Sequence, residues 1–292
     1  MVIGLALILP ALLRAGQMPL LPKLLLLLLL LAVGFQGVKM FPYSRLSPFQ
    51  VKQAAADGNS AVIRLVTCNV LMENRNLCNY LKVLQEADPD VILTTEADQW
   101  WADQLAILDS AYPWQVKHPL PNTYGMILHS RFPLIDPAVR FLIEPDVPSI
   151  HTALQLPDGR RIHLVGLHPR PPVPSENEDT AERDAELYLI GKMVSGSDLP
   201  VLVLGDLNDV AWSRTTSRFQ KVSGLLDPRI GRGMYNTFHA DYFFLRFPLD
   251  HIFHSRHFRH VSMKRLSHIG SDHFPFFVAL TLTGNEASEE HQ

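Results

Sequence analysis

Asn69, Glu96, His168, Asp206, Asn208, Asp250, Asp272 and His273 each stand at or beside the end of an apolar run. Carboxylates, carboxamides and imidazoles are the groups that bind hard cations, hold phosphate oxygens and move protons. In VLVLGDLND (201–209) a buried-looking strand runs into Gly205, where the backbone can bend or approach closely, and then into Asp206, Asn208 and Asp209. Such oxygen donors suit Mg²⁺, which retains several waters and completes its shell with a phosphate. An Asx-rich turn that merely ends a strand is the plain alternative. Glu96, closing VILTTE, reads as a further ligand or as a carboxylate leaving a sheet for solvent. In GSDHFPF (270–276), His273 can accept a proton from water provided a separate buried carboxylate fixes its tautomer. Asp250, heading LDHIFHS (249–255), is the natural candidate, and a solvated turn at Ser271 and Asp272 is the alternative.

These groups are spread over most of the chain, so only a fold that collects strand ends at one rim can bring them together. The apolar runs supply such strands at 61–70, 90–96, 124–130, 161–169, 201–209, 249–255 and 273–282. Between them, Leu77, Leu81 and Leu84 recur at helical spacing and stop before Pro89, WWADQLAIL reads as a short amphipathic helix, and residues 178–194 carry Ala181, Ala185, Leu189 and Met193 on one stripe. Strands alternate with helices and with other strands, and neither a dinucleotide fingerprint nor a GxxxxGK[ST] loop is present. The expectation is an α/β (α+β) domain: a four-layer α/β/β/α sandwich of two packed mixed sheets with outer helices. His251, His254, His257 and His260 recur every third residue, but a strand would turn His251 and His254 to opposite faces, and no cysteine accompanies them, so structural zinc is not expected. Cys68 and Cys78 are too few for a disulfide framework and read as small buried thiols, with a single bridge left open.

The first 56 residues contain no acidic residue and five basic ones, which leaves 21 basic against 29 acidic in the remainder, a net charge of −8. That balance argues against a protein that grips long nucleic acid through its backbone, although a bound metal can offset carboxylate charge at a nuclease site. Residues 18–38 are apolar but for Lys23 and are long enough to cross a bilayer, whereas the run at 2–13 is short for a span. A cleaved signal peptide is the rival reading, opposed by the lack of an A-x-A-like site after Gly34. Basic residues flank the span almost evenly, so the side taken by the following domain stays open. The chain therefore divides into a membrane segment (1–38), a juxtamembrane connector (39–60), a catalytic domain (61–282) and an acidic tail (283–292).

The strings TCNV, VILTTEAD, GLHP, GDLN, LDHIF and SDHFP, in that order, resemble the endonuclease/exonuclease/phosphatase superfamily over about residues 61–282. HPRPP, GDLNDVAWS, DPRIGRG and SDHFP are similar to a bacterial branch with an N-terminal membrane segment, which implies a bacterial inner-membrane location. The resemblance implies one Mg²⁺ or Mn²⁺ on Glu96, with Asn69 and Asp272 assisting, and a catalytic group of His273, Asp250, Asp206, His168 and Asn208. Thr95 stands where the family usually has Gln, a departure that touches no implied ligand. The implied substrate is a phosphate ester in nucleic acid or phospholipid. A phosphodiester hydrolase of nuclease type, a lipid or lipid-linked phosphodiesterase and an inositol-type phosphomonoesterase all stay open, with a membrane-bound binding module as the non-enzymatic reading. DQWW, GRGMYNTF and DYFFLRF look like exposed aromatic runs that favour lipid, unless they are core.

Overall fold

A computed structural model describes residues 19–55, 61–171 and 181–283. The run at 2–13, residues 56–60 and the tail beyond 283 lie outside them, as do the first residues expected in the helix at 178–194. Among the described residues, eleven strands, β1 to β11, form two sheets. The six-stranded sheet is ordered β10 (Phe258–Arg265), β11 (Phe276–Leu282), β1 (Val62–Asn69), β2 (Val91–Thr95), β4 (Met126–Ser130) and β3 (Trp114–His118). The five-stranded sheet runs β5 (Leu134–Arg140), β6 (Ser149–Gln155), β7 (Arg161–Leu167), β8 (Val201–Asp206) and β9 (Asp250–His254).

Side-chain alternation builds the layers. In β1, Ile63 and Leu65 point into the core between the sheets, while Val66 and Cys68 point out to a helical layer. Likewise in β8, Leu202 and Leu204 face the other sheet, and Val201 and Val203 face helices. Both faces being covered explains why the central strands read as unbroken apolar runs. Over the first sheet lie α2 (Leu77–Ala87) and α3 (Gln99–Gln104), contributing Tyr80, Val83, Leu84 and Trp101. Asn76 caps α2 by accepting from Asn79 N, and the helix ends in left-handed Asp88 before Pro89. Over the second sheet lie α4 (Ala181–Ser195) and α5 (Arg214–Ser223), contributing Leu187, Ile190, Val194 and Phe219. The expected sandwich is the observed one.

Three details differ from expectation. The buried face of α4 is Arg183, Glu186, Leu187, Ile190, Gly191 and Val194, not the stripe through Ala181 and Leu189, because the sheet accepts a face that mixes apolar with long charged side chains. Cys78 is exposed, and both cysteines are free thiols, since α2 buries Tyr80, Val83 and Leu84 instead. Trp101 of DQWW belongs to the core.

Before the sandwich, α1 (Leu20–Met40) buries none of its residues and, with the turn that follows, is long and apolar enough to span a membrane. The chain after it is tied down: Tyr43 Oη donates to Ala211 O at 2.7 Å, Gly231 N to Pro42 O at 2.8 Å, and Asp227 N to Gln50 Oε1 at 2.8 Å.

Topology explains the rim. β1 and β2 are parallel, as are β7 and β8, so four C-terminal ends point one way. β9 and β11 are antiparallel to β8 and β1 and start at that same edge. At Gly205 the backbone has φ +146°, and a Cβ would stand 1.8 Å from Leu167 O. G205A should therefore cost about 3 kcal/mol or more, which lowers the thermal midpoint by roughly 6–12 °C for a domain of this size. A midpoint within ~1 °C of wild type in a calorimetric scan would refute the steric account.

Candidate active site

Asn69 ends β1, and its Nδ2 donates to Glu96 Oε1 at 2.7 Å and to Asp206 Oδ2 at 3.1 Å. One carboxamide thus joins the two sheets. Its own orientation is fixed because Oδ1 accepts from Leu71 N at 3.0 Å. Glu96 follows β2 in a left-handed conformation, φ 57°, which turns its carboxylate toward the rim. Burial, with the charges of Asp206 and Asp272 adding to it, pushes the Glu96 pKa up to about 7 despite the Asn69 hydrogen bond.

Asp206 and Asp250 are paired residues of β8 and β9 with no solvent exposure. Asp206 Oδ1 accepts from Asn208 N at 2.9 Å. Burial pushes the Asp206 carboxyl upward, but the charges of His273 and His168 outweigh it and hold the group below the usual carboxylate range. His273 lies 2.8 Å from Asp250 Oδ2 through Nδ1 and 3.5 Å from Asp206 Oδ2 through Nε2. Burial pushes this imidazole down, yet Asp206 and Asp250 together raise it to about 10. His168 follows β7, with Nε2 3.8 Å from Asp206 Oδ2 and 3.9 Å from Glu96 Oε1.

Asn69, Glu96, His168, Asp206, Asp250 and His273 thus converge. Two expected participants sit differently. Asn208 directs its Nδ2 to Pro169 O at 2.9 Å, so one of its two N–H groups is already spent. Asp272 makes no hydrogen bond to Asn69 or Glu96 among the described residues; its Oδ1 faces Ser271 Oγ at 3.4 Å, and it acts on Glu96 and His273 through charge. Ser271 is no solvated turn residue: it is fully buried, and its Oγ donates to Asn69 O at 2.8 Å.

Asp206, Asp250 and His273 offer ligand atoms within 4.8 Å of one another. A proton and a cation would compete for the same imidazole lone pair of His273. Glu96, with Asp206 beside it across the Asn69 carboxamide, offers carboxylate oxygens that could hold a hard cation.

A family model described as the endonuclease/exonuclease/phosphatase family matches residues 66–273. The chain belongs to that family. Solved structures with the same fold include the human Nocturnin catalytic domain with bound sulfate anion, at 18% identity, TM-score 0.62, 83% of this chain and 99% of that one. D. rerio TDP2 complexed with a single-strand DNA product matches at 15% identity, TM-score 0.62, with 76% and 99% coverage. A family protein from Bacteroides thetaiotaomicron matches at 17% identity, TM-score 0.60, with 77% and 99%. No curated protein is a sequence relative. Family members are phosphoester hydrolases, and general phosphoesterase chemistry is the class to which this chain's site belongs.

Asp227 and Arg229, both fully buried, entered the sequence reading only within the string DPRIGRG, with no role assigned. Arg229 pairs with Asp227 at 2.7 Å, donates Nη1 to Asp250 O at 3.1 Å and meets His251 Nδ1 at 2.6 Å. Neither stands at the end of an apolar run, so position gave no signal. Thr237 supports the same strand start, its Oγ1 accepting from Asp250 N at 3.2 Å.

The folded imidazole of His273 holds its proton to about pH 10, whereas an unfolded histidine releases it near ~6.5. Its stabilising contribution is therefore complete below pH ~6.5 and is lost as pH rises toward 10. Proton NMR of the metal-free protein should find His273 still charged at pH ~8, and D250N should move its titration down. Titration near ~6.5 in both proteins would contradict the paired-carboxylate account.

Proposed function

We propose that the protein is a divalent-metal-dependent phosphodiester hydrolase held at a membrane by α1. The observation that carries this reading is the buried Asp250–His273 pair directed at Asp206, with Glu96 and Asn69 beside it. Glu96 would hold Mg²⁺ or Mn²⁺, with Asp272 assisting directly or through water; Asn69, expected as a ligand, has its Oδ1 on Leu71 N and its Nδ2 on Glu96 and Asp206, so it would position Glu96 for the cation. When bound, the cation supplies Lewis-acid polarisation of a non-bridging phosphate oxygen.

The remaining work falls to the chain. Asp206, kept ionised, has Oδ1 fixed by Asn208 N, and near Oδ2 it can orient a water and draw off its proton as the water attacks phosphorus. His273, expected from the sequence to accept the proton of water, takes a different role in this reading because Asp206 and Asp250 favour its protonated form: oriented by Asp250, it stabilises the negative charge that develops on the phosphoryl oxygens. His168 adds a second imidazole on the same side, and the free N–H of Asn208 adds a donor. No side chain is placed as a covalent nucleophile in this scheme, so attack is in line and phosphorus inverts. The net charge of −8 after the first 56 residues weighs against long nucleic acid as the substrate.

Full-length protein in Mg²⁺ should hydrolyse bis(p-nitrophenyl) phosphate, and EDTA should abolish the turnover. E96Q should lower kcat/KM on the order of 10²-fold and weaken Mn²⁺ binding in calorimetric titration while leaving unfolding cooperative. Turnover indifferent to EDTA would remove the metal from the scheme, and an unchanged Mn²⁺ affinity in E96Q would remove Glu96 as its ligand.

A further inference from the structure

Tyr242, Phe243, Phe244 and Leu245 follow one another in a loop and are 50, 78, 60 and 46% exposed. Four consecutive large apolar side chains in water are a patch that calls for a partner. The loop is tethered to the site. Ala240 N donates to Asp272 O at 2.6 Å, and on the far side Phe247 pairs with Phe238, whose ring centroid lies 5.0 Å from that of His273.

A basic surface continues from the loop. Arg246 and Arg265 both lie over the Phe274 ring, at 5.1 and 4.4 Å from its centroid. Arg265 in turn shares a groove with Lys264, Arg232 and Arg45, and no acidic side chain lines that groove. Beyond it, Arg232 lies 4.3 Å from the Phe49 ring centroid, and Leu46 and Phe49 are 85 and 62% exposed. Cations and apolar side chains thus follow one another from the loop through Phe274 and the groove to Phe49, outnumbering Asp241 before the loop and Glu86 beside Lys264 and Arg265, in a domain whose overall charge is negative. That composition matches the interface of an anionic bilayer, where Phe, Tyr and Leu enter the headgroup boundary and Lys and Arg meet lipid phosphates.

The end of α1 fixes which face is near. Helix α1 stops at Met40, and Tyr43 is already buried against Ala211 O and Trp212, just past Asp206 and Asn208 at the catalytic rim. Three residues reach at most ~11 Å, so a bilayer around α1 brings the rim side of the domain to its surface.

We infer that this basic and aromatic face lies on an anionic phospholipid bilayer, with the loop 242–245 inserted, and that the site acts on phosphodiesters in lipid headgroups. The substrate half rests on the phosphodiesterase reading above; the orientation half rests only on the face and on α1.

The test uses the full chain in nanodiscs of phosphatidylcholine with and without phosphatidylglycerol. F243W adds a reporter at an exposed position; relative to wild type, its extra emission should be blue-shifted and quenched by brominated acyl chains, more strongly with phosphatidylglycerol. K264A/R265A should remove that dependence on phosphatidylglycerol. F243S/F244S should keep hydrolysis of soluble bis(p-nitrophenyl) phosphate and lose several-fold of the phosphate release from disc lipids. Absence of turnover on the soluble ester in wild type would strike the phosphodiesterase reading alone, because quenching reports orientation without catalysis. Unquenched F243W emission in both bilayers would overturn the inference and leave the patch to a protein partner or a second copy. Quenching unaffected by K264A/R265A would overturn the anionic-headgroup contact.

Discussion

Burying several carboxylates at one end of two packed sheets is the constraint that organises this molecule. Asp206 and Asp250 have no exposure and face each other across β8 and β9, while Glu96 approaches from the other sheet through Asn69. Uncompensated charges so close in a poorly polarisable interior would cost several kcal/mol each. His273 answers the first two by holding a proton between them. Glu96 is answered less fully: burial, with Asp206 and Asp272 adding to it, raises its pKa despite the charge of His273, and a divalent cation would favour its ionised form. Charge compensation and catalytic arrangement are thus the same feature seen twice.

A second buried pair carries the first. Asp227 and Arg229 neutralise each other, and Arg229 then also reaches Asp250 O and His251. The guanidinium also lies 5.9 Å from the centroid of the Tyr43 ring. Removing either partner would leave a lone buried charge, which is far more costly than losing an exposed ion pair. Through this network the residue that orients His273 shares support with the segment that joins α1 to the domain. The exposed pairs of Arg64 and Arg131 with Asp88 have no such reach, and they contribute little to stability.

The central strands were legible because the other sheet covers one face and helices the other, and continuous apolar runs such as VLVL follow directly from that burial. The edge strands β3 and β5 and the interior strand β6 were not. β5 carries Asp136 and Pro137 at a register shift, β3 is half exposed, and β6 buries Ser149, His151 and Thr152, so none shows a clean period. Helix α5 buries only Thr216, Phe219 and Ser223, too few to mark a stripe. The converging residues could be read because each ends an apolar run, whereas Asp227, Arg229 and Thr237 sit in an irregular stretch where only the tertiary fold gives them meaning. Aromatic runs divided the same way: DYFFLRF is exposed, yet Trp101 packs edge-on against Tyr80 in the core. Composition alone does not distinguish those two fates.

The central claim is that Asp250 and His273 act as one unit, 23 positions apart in sequence and 2.8 Å apart in the fold. Steady-state kcat/KM for wild type, D250N, H273A and the double mutant, at saturating metal on a single phosphodiester, measures this directly. The account predicts that H273A nearly abolishes turnover, that D250N causes a smaller but large loss, and that the double mutant is little worse than H273A, because removing either member disables the pair. Losses that multiply in the double mutant would mean that the two residues act independently, and the orienting role of Asp250 would be contradicted.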